Sequence, residues 1–228
     1  EIPLRLVGSE MCIRDRVCAD EYAEGVDDNA FTNGSAMRAL QAASKAAALC
    51  GEKAPAIWNT IAASLRIPRF EDGTTREYED YDGRIIKQAD ANLLAYPLGL
   101  VTNTEEIRRD LAYYEPRIDA GPAMSYSILA LQHARLGDGG KAYELFSRSY
   151  QPNRVAPFGV TAEYAGTDNC YFATGAGGML QAVINGFCGL EITDKGIRQL
   201  PSALPAHWKR VTVKGAGPER KNYTKENH

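Results

Sequence analysis

The segment Asp20–Asn33 concentrates five carboxylates, two amides and two aromatic residues within fourteen positions: Asp20-Glu21-Tyr22-Ala23-Glu24-Gly25-Val26-Asp27-Asp28-Asn29-Ala30-Phe31-Thr32-Asn33. Carboxylates and amides hold sugar hydroxyls, and an aromatic face packs against the ring. A carboxyl kept partly dry has a raised pKa and can protonate a glycosidic oxygen. Composition alone also allows a solvated acidic loop in which Asn33 does no more than cap a helix. Lys87-Gln88-Ala89-Asp90 is a second candidate, either an exposed first helical turn or a pair of hydroxyl donors toward a bound sugar. The third is Glu163, among aromatics in Pro157-Phe158-Gly159-Val160-Thr161-Ala162-Glu163-Tyr164 and ahead of Thr174-Gly175-Ala176-Gly177-Gly178-Met179-Leu180-Gln181. That glycine run lacks the strand–GxxxxGK[ST]–helix context of a phosphate loop, so close helix packing is the better role for Gly175, Gly177 and Gly178.

The elements that must position these residues are mostly helical. Asn33-Gly34-Ser35 offers caps for a helix through Met37, Leu40, Ala43, Ala47 and Leu49, stopped near Gly51. Further helices are predicted at 54–65, from about Ile85 to Pro97, at 105–114 behind Asn103 or Thr104, at 122–136, at 141–150 and at about 177–187. Glu71–Gly83 is acidic and aromatic without an apolar period, hence a loop. The stretch Ala123–Leu131 is apolar on more than one face and must be buried on two sides, as in the inner ring of a double-layered helical barrel. After Gly189, Leu200-Pro201, Leu204-Pro205 and the alternating Val211 and Val213 read as extended chain and strand.

With 26 Lys plus Arg against 29 Asp plus Glu, the formal charge of -3 argues against a nucleic-acid surface, and no apolar stretch is long enough for a membrane span. The five cysteines and three histidines form neither a C-x-x-C pair nor a cluster, so no disulfide framework, metal or cofactor is expected. Val7–Asp15 resembles translated sequencing-adapter DNA, and residues 1–16 are expected to be a non-native leader. Residues 218–228, polar and charged, are expected to fray.

Taken together, the ordered motifs resemble glycoside hydrolase family 65. Its acid-bearing stretch is matched by Asp20-Glu21-Tyr22 through Phe31-Thr32-Asn33, and its Lys-Gln-Ala-Asp motif by Lys87–Asp90. Gly121-Pro122-Ala123-Met124-Ser125, the Pro157–Glu163 stretch, Thr174–Ala182 and Leu200–Pro205 match its hydrolase branch, of the kojibiose and glucosylgalactosyl-hydroxylysine glucosidase kind. The resemblance implies an all-α fold: the second half of an (α/α)6 barrel over 17–190, then the start of a C-terminal β-module over 191–217. It implies Glu21 as general acid and Glu163 as general base, with Asp20, Tyr22, Asn33, Lys87 and Gln88 as the sugar-binding set. The expected ligand is a small α-glucoside or glycan, with terminal α-1,2-linked glucose favoured and no nucleic acid or membrane involved.

The family also contains phosphorylases, which need no base and bind phosphate with a His-containing loop. No histidine lies between His133 and His207 here. A carboxylate at Glu163 would repel phosphate by about 4 kcal/mol at about 4 Å in an intermediate dielectric. The expected reaction is therefore hydrolysis with inversion, which needs about 6.5–9.5 Å between the two carboxyls to admit a water. An inverting disaccharide phosphorylase and a non-enzymatic helical scaffold are the competing readings. Convergence of Glu21, Lys87, Gln88 and Glu163 on one concave mouth would separate the enzymes from the scaffold.

Overall fold

The computed structural model describes residues 17–120, 123–168 and 171–227. The expected leader, Cys12, Cys170 and the Gly121-Pro122 pair lie outside them. The chain divides between Arg117 and Ile118 into two compact units, taken here in turn.

In the first unit, α1 (Ala30–Leu49) packs on α2 (Ala56–Ser64), and α3 (Thr104–Tyr114) follows a long irregular segment. α1 begins ahead of the expected caps, because Asn29 is its N-cap, accepting from the Thr32 N–H at 2.8 Å. Asn33 and Gly34 therefore fall inside the helix. Gly34 permits a close crossing: a Cβ there would sit 2.6 Å from Leu94 Cδ2. Ala30, Leu94 and Val101 form a buried cluster there, lined by Ile67, Leu98, Leu100 and Ile107. α3 starts as predicted, with Asn103 Oδ1 accepting from the N–H groups of Glu105 and Glu106.

The helix expected from Ile85 to Pro97 is replaced by a single 3-10 turn, Ala91–Leu94. Tertiary contacts fix the backbone ahead of that turn, with Ile86 N–H donating to the Arg117 carbonyl at 2.9 Å and Lys87 N–H to Asp20 Oδ1 at 2.7 Å, and Asp90, at φ -125° and ψ -77°, breaks the helical path. Glu71–Gly83 is a loop, as expected, but not a solvated one. Glu77, Tyr78 and Tyr81 are buried in it. α3 holds the loop down: Asp110 accepts from Thr75 N–H and Oγ1–H at 2.8 and 2.7 Å, and Tyr114 Oη–H donates to the Thr75 carbonyl. Tyr81, Tyr113, Tyr114 and Phe70 stack around it.

In the second unit, α4 (Met124–Arg135) is the central helix, with α5 (Gly139–Arg148) and α6 (Ala173–Gln181) packed on it. Its buried positions cover most of its circumference, in line with its all-round apolar sequence. α6 continues into a π-helical stretch, Ala182–Phe187, and starts at Ala173 rather than Gly177. A Cβ on Gly178 would lie 3.0 Å from Ser127 Cβ of α4, and one on Gly175 2.7 Å from the Phe172 ring, so both mark close packing. Gly177 faces open space.

The described residues are mainly helical, with strands chiefly after residue 189, where extended chain was expected. Among them are three two-stranded antiparallel sheets: β1 (Arg154–Val155) with β2 (Val160–Thr161), β3 (Leu190–Thr193) with β4 (Gly196–Gln199), and β5 (Arg210–Ala216) with β6 (Lys221–Glu226). β6 occupies the segment read as a fraying tail. Its alternate residues Tyr223 and Lys225 pair with Val213 and Val211 across the ribbon, and that pairing orders a sequence with no apolar period of its own. No helix among the described residues is long and apolar enough to cross a membrane.

Candidate active site

Glu21 sits at the tip of a tight reversal closed by the Val17–Glu24 bridge and by Ala23 N–H donating to the Asp20 carbonyl at 3.0 Å. A chain reversal of this kind turns its apical side chain outward, and the Glu21 side chain is half exposed. Its carboxylate is met by Lys87 Nζ in a very short charge-assisted contact and by the Gln88 side chain. These contacts hold the Glu21 carboxyl below the usual carboxylate range, Lys87 first and Gln88 second. That is the reverse of the raised pKa expected of a proton donor. The cause is plain: the Lys-Gln pair, expected to reach for sugar hydroxyls, here reaches for Glu21.

Beneath this face the other predicted ligands divide. Tyr22 is 53% exposed and open to a ligand. Asp20 is buried, and its Oδ1 accepts from Tyr22 N–H at 3.2 Å and from Lys87 N–H at 2.7 Å. One carboxylate thus binds the backbone of the Glu21 turn to that of the Lys87 loop. Asn33 is also buried, with Nδ2 donating to Asp28 Oδ1 and the Arg66 carbonyl. Asp20 and Asn33, both expected to bind sugar, are buried and tie neighbouring loops together.

Three buried residues complete the support. Asp90 accepts from Asp20 N–H at 3.3 Å and from Asn29 Nδ2, which also reaches the Glu77 carbonyl at 3.2 Å. Glu77 lies fully buried beside Asp20 and Asp90. Burial pushes both Glu77 and Asp90 well above the ordinary carboxylate range, and neighbouring acidic charge adds to it. Asp90 stood in the Lys-Gln-Ala-Asp motif and Asn29 in the acidic stretch, so position along the chain could have flagged them. Glu77 carried no such signal.

In the second unit Glu163 follows β2 and is partly buried, between buried Ala162 and exposed Tyr164. Asn153, itself buried, accepts Ala162 N–H at its carbonyl, 2.8 Å, and its Nδ2 donates to the carbonyls of Ala162 and Glu163 at 3.0 and 2.9 Å. The backbone of Glu163 is thereby clamped to the turn before β1. Phe158, in the same hairpin, is 91% exposed. The structure thus brings Glu21, Lys87 and Gln88 together in one unit and holds Glu163 firmly in the other. No group of His, Cys, Asp and Glu among the described residues is arranged to hold a metal ion.

Comparisons with known proteins agree on a relationship. Residues 67–154 match the glycosyl hydrolase family 65 central catalytic domain. The chain is 48% identical to a kojibiose hydrolase of Mucilaginibacter mallensis over 213 residues, covering 92% of this chain and 32% of that protein. It is 36% identical to a protein-glucosylgalactosylhydroxylysine glucosidase of Danio rerio over 209 residues, covering 89% of this chain and 31% of that protein. The chain therefore spans about a third of the length of the curated relatives it matches. Among solved structures, a human-microbiome protein provisionally assigned as a kojibiose phosphorylase shares the fold, with a TM-score of 0.68 at 16% identity over 88% of this chain and 35% of its own.

Proposed function

This chain belongs to glycoside hydrolase family 65, and on that premise we propose that its protein is an inverting α-glucosidase releasing terminal glucose. Glu21 is the general acid and Glu163 the general base. The observation that carries this reading is the Glu21–Lys87–Gln88 cluster: a half-exposed carboxylate at a loop tip with two hydroxyl-binding donors beside it. Support for hydrolysis over phosphorolysis comes from Glu163 and from the hydrolase and glucosidase names of the relatives. The phosphorylase-like structure shares only the fold.

The depressed pKa of Glu21 fits an acid armed by its substrate. Sugar hydroxyls that recruit Lys87 and Gln88 take away the donors holding the carboxyl low, and exclusion of water then raises it. Glu21 protonates the leaving oxygen as the glycosidic bond lengthens, through an oxocarbenium-like transition state. Glu163 takes a proton from water attacking the opposite face, a displacement that requires about 6.5–9.5 Å between acid and base carboxyls. Terminal α-1,2-linked glucose is the favoured substrate.

The test uses the full-length protein with kojibiose. Glucose is released first as the β-anomer, and phosphate does not change the rate. Glu163→Gln and Glu21→Gln each lower kcat by at least about 100-fold, and azide restores turnover to the Glu163 variant with formation of β-glucosyl azide. Formation of glucose 1-phosphate, or release of α-glucose, overturns the reading.

A further inference from the structure

The acid-bearing loops rest on Glu77, which no motif singles out. Its side chain is fully buried, and no N–H or O–H group of the described residues reaches either of its carboxyl oxygens. A carboxylate in that position would be dry and without a single donor, which is strongly unfavourable. Its neighbours make ionisation harder still. The charged groups acting on it are Asp20, Asp90 and Arg84, and the phenols of Tyr78, Tyr81 and Tyr114 feel its charge in turn. The cation among them, Arg84, is committed to Asp82 at the surface through two bonds of 3.0 Å. Asp20, by contrast, accepts two backbone N–H groups, whereas the Glu77 carboxyl accepts none from the described residues. The Asp20 side chain lies within hydrogen-bonding reach of Glu77.

Resting on the assignment of Glu21 as the acid, we propose that Glu77 is its positioning residue: held as the neutral acid, it donates its proton to the Asp20 carboxylate and so fixes the Lys87 backbone and the Glu21 turn. The pair shares one proton and one negative charge. The neutral carboxyl supplies the hydrogen bond that sets the orientation of Asp20, and Asp20 in turn carries Tyr22 N–H and Lys87 N–H, one on each side of the Glu21–Lys87 contact. An ionised Glu77 would repel Asp20 and pull the two loops apart.

The experiment compares wild type, Glu77→Gln and Glu77→Ala in the full-length protein. The infrared difference spectrum of wild type minus Glu77→Gln at pH 7 carries a protonated-carboxyl C=O band, to which Asp90 and Asp110, present in both proteins, do not contribute. The amide can still donate to Asp20, so Glu77→Gln keeps kcat within about threefold, whereas Glu77→Ala loses about 10- to 100-fold in kcat with KM within about threefold. The nitrogen resonance of the Lys87 side chain shifts in Glu77→Ala and not in Glu77→Gln. Absence of the band from the difference spectrum overturns the proposal, and so does full turnover with an unmoved Lys87 resonance in Glu77→Ala. If wild type cleaves no α-glucoside, the functional reading falls, while the infrared band and the Lys87 resonance still decide the role of Glu77.

Discussion

Under the proposed function, the contact between Lys87 and Glu21 serves two states of the site. In the free protein the ammonium and the carboxylate satisfy each other, and Gln88 adds a second donor. This holds Glu21 ionised where an acid catalyst needs it protonated. Replacing Lys87 with Met removes the larger of the two causes, so the Glu21 carboxyl should titrate at higher pH in the free protein, read from its side-chain carbon resonance. In wild type, substrate should do the same. The basic limb of kcat should then lie at higher pH than that of kcat/KM, because the first reports the bound form and the second the free one. Coincident limbs, with no movement of Glu21 in Lys87→Met, would sink the idea of a substrate-armed acid.

At the scale of elements, both candidate catalytic residues are presented by loops, each held by a buried polar side chain and not by a helix. Asp20 does this for the Glu21 reversal and Asn153 for the β1–β2 hairpin that ends at Glu163. The Asn153 amide donates to two successive carbonyls, a geometry that neither Ala nor Asp can reproduce. Asn153→Ala and Asn153→Asp are expected to lower kcat by about 10- to 100-fold with little change in KM, because a loose base loses orientation before the sugar loses affinity. Stability should fall by only about 1–3 kcal/mol, the penalty for leaving buried carbonyls unpaired. Denaturant unfolding alongside steady-state kinetics checks both halves. A parallel loss in kcat and stability, erased at low temperature, would mean that Asn153 serves folding alone.

At the scale of the whole molecule, the buried acids of the first unit give a pH dependence with a definite sign. Glu77, Asp90 and Asp110 are all pushed up, with burial the leading cause in each. An acid whose pKa is raised by folding contributes stability that is complete below its unfolded value and is lost as pH climbs toward the folded one. For Glu77 that loss begins above its ordinary value of 4.5. The lowered carboxyls of this unit, Glu21, Asp72 and Asp82, are solvent-exposed and screened, so they offset little. Tm should therefore be highest near pH 4–5 (about the unfolded values of these groups) and decline toward pH 8, with a flatter profile in Glu77→Gln. A Tm that rises from pH 5 to 8 in wild type would contradict this assignment of buried charge.

What the amino-acid order determined by itself is local or periodic in nature. The Asn103 cap of α3 could be read because its partners are two and three residues away, and the burial of α4 because apolar groups surround its axis. The motifs Asp20-Glu21-Tyr22 and Lys87-Gln88 marked residues that the fold does bring into contact. Tertiary structure alone decided which asparagine starts α1, since Asn29 and Asn33 are equal as caps and only Asn29 meets Glu77 and Asp90. It also decided that 85–90 forms no helix and that an acidic loop is buried. The physical reason is common to both: backbone donors and carboxyl groups take whichever partner, solvent or protein, reaches them in space, and distance along the chain does not encode that choice.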